Sequence, residues 1–181
     1  MKKLLCVVSL AALLCFTISC QNKAEKAELE KFRTQAKVEE QNLALVNREW
    51  EVWSKADLEA FKEVVAPEYV WYLPSGSTES VSIEETIEFA KRLRSAFPDI
   101  TFGIEEIFAA GNRVVVRYIM RGTQQGEYAG IPATGNKIEV SGIMIHWVEN
   151  GKVVEDREEG DGLGMMQQLG MELKPKEAEK K

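Results

Sequence analysis

The pattern of apolar and polar positions divides the chain into a leader, a charged helix and a mixed domain. An apolar run from Leu4 to Phe16 follows Lys2 and Lys3 and ends in small residues, the profile of a secretory leader. It is too short to span a bilayer comfortably. Gln21 to Glu40 is rich in Ala, Glu and Lys and has no Gly or Pro. Leu29, Phe32, Ala36, Leu43, Val46, Trp50 and Trp53 recur at helical spacing, which predicts one amphipathic helix reaching Lys55-Ala56. Its early stripe is thin, as in a spacer, and packing is expected from Val38 onward.

Asp57 reads as the N-cap of a short helix that turns Leu58, Phe61 and Val65 inward and stops at Pro67. A strand is predicted at Tyr69–Leu73 and a loop at Pro74–Ser80. Ser82 and Glu85 form a capping box for a helix with Ile83, Ile87, Ala90 and Leu93 on one side, ending at Pro98. Strands follow at Ile100–Phe108 and Arg113–Arg121, a loop at Glu127–Gly135, and a hairpin from Lys137 to Asp161. Leu163–Leu169 makes a last helical turn or two. This order predicts an α+β fold, a cone-shaped curved antiparallel sheet with helices packed on its concave face. The expected divisions are a leader at 1–19, a tether at 20–37, the folded domain at 38–172 and a charged tail at 173–181.

Asn150-Gly151 between two apolar runs is the sharpest local signal, because a two-residue hairpin turn needs positive φ at both positions. Counting outward pairs Glu149 with Lys152, Val148 with Val153, His146 with Glu155, Met144 with Arg157, Gly142 with Glu159 and Val140 with Asp161. One face of the hairpin is then densely ionisable, and the other carries Ile143, Ile145, Trp147 and Val154. The ionisable row is expected to line a cavity. The apolar row is expected to be covered by a second copy of the chain, as a homodimer.

Composition narrows the chemistry. The formal net charge is −6, or −8 once Lys2 and Lys3 leave with the leader, which argues against a nucleic-acid partner. Cys6, Cys15 and Cys20 are the only cysteines, so the folded domain has no internal disulfide and no thiolate nucleophile. His146 is the only histidine, which excludes Cys/His zinc sites and any site needing two imidazoles.

Thr17-Ile18-Ser19-Cys20 resembles a bacterial lipoprotein signal, with Thr17 where leucine is usual. That resemblance implies lipidation at Cys20 and a membrane-tethered protein of the cell envelope, at the outer membrane or cell surface. Ordinary cleavage with soluble release is the alternative.

Gly122-Thr123-Gln124-Gln125-Gly126-Glu127-Tyr128-Ala129-Gly130-Ile131-Pro132-Ala133-Thr134-Gly135 resembles a segment of the SnoaL-like polyketide cyclases, also called ester cyclases, which have the nuclear-transport-factor-2-like cone fold. Ser141-Gly142-Ile143, Asn150 to Glu155, and Asp161 ahead of Leu163 to Gly170 continue the likeness. Upstream it includes Asp57-Leu58, Ala66 to Val70 and Phe97-Pro98-Asp99, so it covers about Val38 to Gly170. The resemblance implies a small-molecule ligand and ring closure by aldol-type acid/base chemistry without metal or organic cofactor. It places the acid/base at Asp161, assisted by His146. Arg157 and Glu159 stand where the family favours aromatics, and Tyr72 and Gln124 where it often has histidine; the charged pair favours the alternative of a non-catalytic lipoprotein that uses the same pocket to bind a small ligand or a partner.

Each candidate has a functional and a structural reading. Asp161 is either a desolvated general base or the N-cap of the helix after it. His146 is either a base oriented by Glu155 or half of a structural ion pair. Arg157 between Glu155 and Glu159 either neutralises them or binds an anionic ligand group. Trp53, Tyr72, Tyr118, Trp71 and Phe89 are pocket wall or plain core, and Met144 and Gln124 complete the expected ligand-binding set. Gly160 to Gly164 lacks the setting of a nucleotide loop. Arg157 makes a calcium site among Glu155, Glu159 and Asp161 unsuitable.

Overall fold

The computed structural model describes residues 2–73, 80–172 and 174, with side chains from Lys23 onward. The side chains of the leader and of Cys20, the loop 74–79 and most of the tail lie outside the described residues. Two compact units are present, Met1–Val38 and Glu39–Lys181. The first is helical throughout its described length, and Leu29 and Phe32 are exposed there. Among the described residues no helix is long and apolar enough to cross a membrane.

The second unit contains the end of helix α1 (Lys2–Ser54), then α2 (Leu58–Val64), β1 (Val65–Tyr72), β2 (Ser80–Ser82) and α3 (Ile83–Ala96). Strands β3 (Thr101–Ala110), β4 (Arg113–Thr123), β5 (Lys137–Glu149) and β6 (Lys152–Gly160) follow, then α4 (Gly162–Gln168). Asp57 caps α2 and the Ser82/Glu85 capping box starts α3, as the sequence predicts. The six strands form a curved, unclosed sheet in the order β2-β1-β6-β5-β4-β3. One pairing departs from the antiparallel expectation: β1 runs parallel to β6. A long intervening chain separates these strands, so no tight turn dictates their direction. Their register slips between Val65 and Val70, the stretch that contains Pro67, which has no N–H to give to a ladder.

The sheet's concave side holds the core. Val114 and Val116 of β4, Val140 and Val148 of β5 and Val153 of β6 are buried there with Val46 of α1 and Leu93 of α3.

The hairpin turn forms where Asn150-Gly151 predicts it, with φ of +51° and +74°. Glu149 pairs with Lys152 and Val148 with Val153. Beyond that, the register expected from the turn is wrong by one residue. Val154 is the extra residue of a β-bulge, so Trp147 pairs with Glu155, His146 with Asp156, Met144 with Glu158 and Gly142 with Gly160. The period of a strand is two, so a slip of one residue exchanges the faces of β6. Asp156 and Glu158 now point into the cone. Glu155, Arg157 and Glu159 point out of it, alongside Trp147, Ile145 and Ile143.

Candidate functional site

The site is built where α1 crosses the concave face of β5 and β6. His146 is almost fully buried, and its Nδ1 lies 2.7 Å from Asp156 Oδ1 and 3.1 Å from Glu49 Oε2. Neither contact has aligned hydrogen-bond geometry, so Nδ1 and both carboxylate oxygens are closely apposed without a directed partner. The opposite ring nitrogen, Nε2, accepts from the Trp50 indole N–H at 3.1 Å. Asp156 is held from its other oxygen by the Tyr69 hydroxyl at 2.8 Å.

Burial pushes the Glu49 carboxyl up to about 7, with the Asp156 charge adding to it. Burial pulls the His146 imidazole down, but Asp156 and then Glu49 more than offset this and push it up, to about 10. The Trp50 contact opposes a fully protonated ring, because an indole N–H only donates and needs a lone pair on Nε2. The indole contact favours a neutral imidazole with its proton on Nδ1, against the pull of the two carboxylates, and burial favours the protonated form of Glu49. Among the described residues, Glu49, His146 and Asp156 are also the trio spaced to hold a metal ion. Their chemistry fits one poorly: with Nε2 already an acceptor, Nδ1 carries the ring's proton and has no lone pair to give.

A larger cavity of about 290 Å³ adjoins this cluster and shares Trp50, Trp53, Trp71 and Met144 with it. Phe102, Tyr118 and Met120 wall it from the sheet, Phe89 from α3, and Met165 from α4. That volume is at the lower end for small-molecule sites. The carboxyl of Glu158 opens into it. Burial pushes Glu158 up to about 7, the Tyr118 hydrogen bond pulls the other way, and the Asp156 charge raises it further. Tyr118 donates its hydroxyl hydrogen to Glu158. Burial and the Glu158 charge keep that phenol protonated far above neutral pH.

Glycine makes room for this pair. Tyr118 lies directly across from Gly142 in the β4–β5 ladder, and a Cβ on Gly142 would fall 2.4 Å from the Tyr118 hydroxyl oxygen. Gly160, paired with Gly142, would place a Cβ 3.4 Å from the same oxygen. The phenol thus lies over two adjacent strands that carry no side chains at that point.

The residues expected from sequence separate into three groups. His146, Met144, Tyr118, Trp53, Trp71 and Phe89 line the two hollows. Glu155, Arg157, Glu159 and Tyr72 do not. Arg157 pairs with Glu155 at 2.6 Å and stacks on Tyr72 and Trp147 at 4.9 and 5.3 Å, on the outer face, with its side chain 57% exposed. Asp161 is exposed and accepts from the Gly164 N–H at 2.8 Å, as the N-cap of α4. Gln124 is fully buried but pins the 124–134 loop: its amide donates to the Ile131 carbonyl and its oxygen accepts from Thr134. Cys20 lies outside the residues whose side chains are described.

Sequence reading missed Glu49, Asp156 and Glu158. Glu49 did leave a signal, since it falls three residues after Val46 and four before Trp53, on the inward stripe of α1. Asp156 and Glu158 left none, because Glu155 to Glu159 are five consecutive ionisable residues with no alternation to mark a face.

The model of the SnoaL-like polyketide cyclase family matches residues 44–169, and the chain belongs to that family. A SnoaL-like polyketide cyclase structure from Jannaschia is 25% identical, with a TM-score of 0.68 over 75% of this chain and 96% of that one. AclR of Streptomyces galilaeus, assigned as a hydroxylase, is 26% identical, with a TM-score of 0.65 over 71% and 95%. IdmH of Streptomyces antibioticus, assigned as a polyketide cyclase, is 27% identical, with a TM-score of 0.64 over 72% and 99%. No curated protein matches the chain.

Proposed function

We propose that the chain is a small-molecule enzyme of cyclase or isomerase type that works on a carbonyl compound by acid/base chemistry, with Glu158 as the acid/base. The observation that carries this reading is a carboxyl held near pKa 7 by burial, hydrogen-bonded by Tyr118 and opening into an aromatic cavity. A group that titrates at the working pH both accepts and returns a proton with little driving force lost. As the carboxylate it takes a proton from the carbon next to a carbonyl. That C–H pair becomes the C=C bond of an enolate, and the carbonyl π pair moves to oxygen. The enolate carbon then attacks a second carbonyl in the same molecule, closing a ring as that carbonyl's π pair moves to its oxygen and the alkoxide takes the proton back from Glu158, or Glu158 returns the proton to a different carbon of a conjugated enolate to give an isomer.

Asp161 was the acid/base implied by family resemblance, and its place as an exposed helix cap favours Glu158 instead. Burial sets the proton affinity of Glu158, and the Asp156 charge behind it raises that affinity further. The Cys20 signal supports lipid tethering in a bacterial envelope, with the helix after it as spacer.

The test uses Glu158→Gln and Asp161→Asn against a panel of small diketones and ketoesters. Glu158→Gln is expected to lower turnover by roughly 10²–10⁴-fold, and Asp161→Asn to retain it. Full turnover in Glu158→Gln rules out this assignment.

A further inference from the structure

The buried polar atoms of the two hollows face one another, His146 Nδ1 and the nearby oxygens of Glu49 and Asp156 in close apposition although without a directed bond. Trp71 is the exception. The residue is 5% exposed, it lines both hollows, and its indole N–H meets no acceptor among the described residues. A buried donor left without a partner costs roughly 1–3 kcal/mol. Native structures keep few of them, and each calls for a reason, a catalytic role among them. Phe89 packs edge-on against the ring, at 5.1 Å between centroids, and helps fix its orientation.

We infer that Trp71 is the hydrogen-bond donor to the substrate's carbonyl oxygen, and that the substrate presents this oxygen as a neutral ketone or ester rather than as a carboxylate or phosphate. The inference rests on the acid/base reading of Glu158 given above. Trp71 pairs with Asp156 across the parallel β1–β6 ladder, and Glu158 is two residues further along on the same face. Strand geometry puts the points where the two side chains leave the sheet about 7 Å apart along the strand and about 5 Å apart across it. A C–C=O unit fits that gap, with its carbon toward Glu158 and its oxygen toward the indole. The same donor then meets the negative charge that arrives on oxygen as the enolate forms.

The charge of the cavity sets the ligand class. Glu158 lines it, Asp156 stands behind it, and among the described residues no lysine or arginine lines it. Arg94 stacks on Trp53 and Phe102 but donates to the main-chain oxygens of Trp53 and Ala90 and is not part of the wall. An anionic ligand would therefore bring its charge into an apolar space next to carboxylates, with no cation to receive it. A ketone or ester oxygen needs only one neutral donor.

The experiment measures binding of three ligands of one shape to the full chain by calorimetry: 1-tetralone, tetralin, and 5,6,7,8-tetrahydronaphthalene-1-carboxylate. The ¹⁵N-indole spectrum is followed in parallel, where the four tryptophans give separate N–H signals. Tetralone is expected to bind about tenfold more tightly than tetralin, the carboxylate not to bind, and the Trp71 indole signal to move downfield with tetralone alone. Trp71→Phe should bind both neutral ligands equally. Equal affinities in the wild type, or a Trp71 signal that tetralin moves as far as tetralone does, overturn the assignment while leaving Glu158 in place. Preferential binding of the carboxylate overturns the ligand class. Failure of all three to bind overturns the inference together with the cavity as a ligand site.

Discussion

At the scale of single residues, the site depends on where individual protons sit. His146 receives opposite instructions from its two ring nitrogens: the carboxylates at Nδ1 favour a cation, while the indole at Nε2 requires a lone pair. Because His146 is the only histidine in the chain, its ¹⁵N imidazole signals are unambiguous. At pH 7 they are expected to show one protonated nitrogen and one acceptor nitrogen. Two protonated nitrogens would mean that the carboxylates prevail and that Trp50 has turned away. Trp50→Phe leaves Nε2 buried and unpaired and should destabilise the fold by about 1–3 kcal/mol, as read from denaturant unfolding. Glu158 predicts a pH profile: its carboxylate is the reactive form, so turnover should rise with pH and reach half its plateau near pH 7. A half-point near 4.5 would mean that burial does not tune this group.

At the scale of elements, the bulge at Val154 decides which side chains do chemistry. The turn itself was legible, since Asn150-Gly151 prescribes its backbone, and so were the first two pairs beyond it. The bulge was not legible, because Val153-Val154 is followed by charges on both faces and either register buries one valine. The resulting error was confined to β6, yet it exchanged Glu155, Arg157 and Glu159 for Asp156 and Glu158. Helix capping, by contrast, could be read residue by residue at Asp57 and Ser82, while at Asp161 it was one of two readings; each of the three accepts from a backbone N–H three residues on. Gly142 stood in the sequence as an unremarkable member of a strand, and only the position of Tyr118 across the ladder gives it a role. Gly142→Ala forces the phenol off its seat, with an expected loss of roughly 1–3 kcal/mol from overpacking. Turnover should fall with it, because Tyr118 can no longer reach Glu158. A Gly142→Ala variant with wild-type melting and turnover would show that the phenol has room to spare.

At the scale of the whole molecule, the buried acids set how stability depends on pH. Glu49 and Glu158 both hold protons up to about pH 7 in the folded chain, against an ordinary value of 4.5. The folded state therefore binds more protons than the unfolded chain between those pH values. The stability they contribute is complete below 4.5 and is lost as pH rises through 7. Glu85 and Asp99 act in the opposite sense at lower pH, because hydrogen bonds from the backbone and side chains of Ser82 and Thr123 hold their carboxyls below the usual range. Calorimetric melting temperature is expected to decline from pH 5.5 to pH 8, and Glu158→Gln to flatten that decline, since the neutral His146 beside Glu49 offsets Glu49's proton uptake below about pH 6.5. The outer face of the sheet makes a separate demand. Ile143 is 47% exposed there, and Trp147 lies between the guanidinium groups of Arg113 and Arg157, each 5.3 Å from its ring. Stacked arginines cover the ring's flanks but not the isoleucine row beside it, and a second copy of the same sheet would complete the cover. Sedimentation should show a dimer at micromolar concentration, and Ile143→Glu should run as a monomer with the cavity and its ligand affinities intact, since the substituted side chain lies on the opposite side of the sheet from Glu158. A wild-type chain that sediments as a monomer under those conditions excludes the pairing and leaves the outer face to solvent.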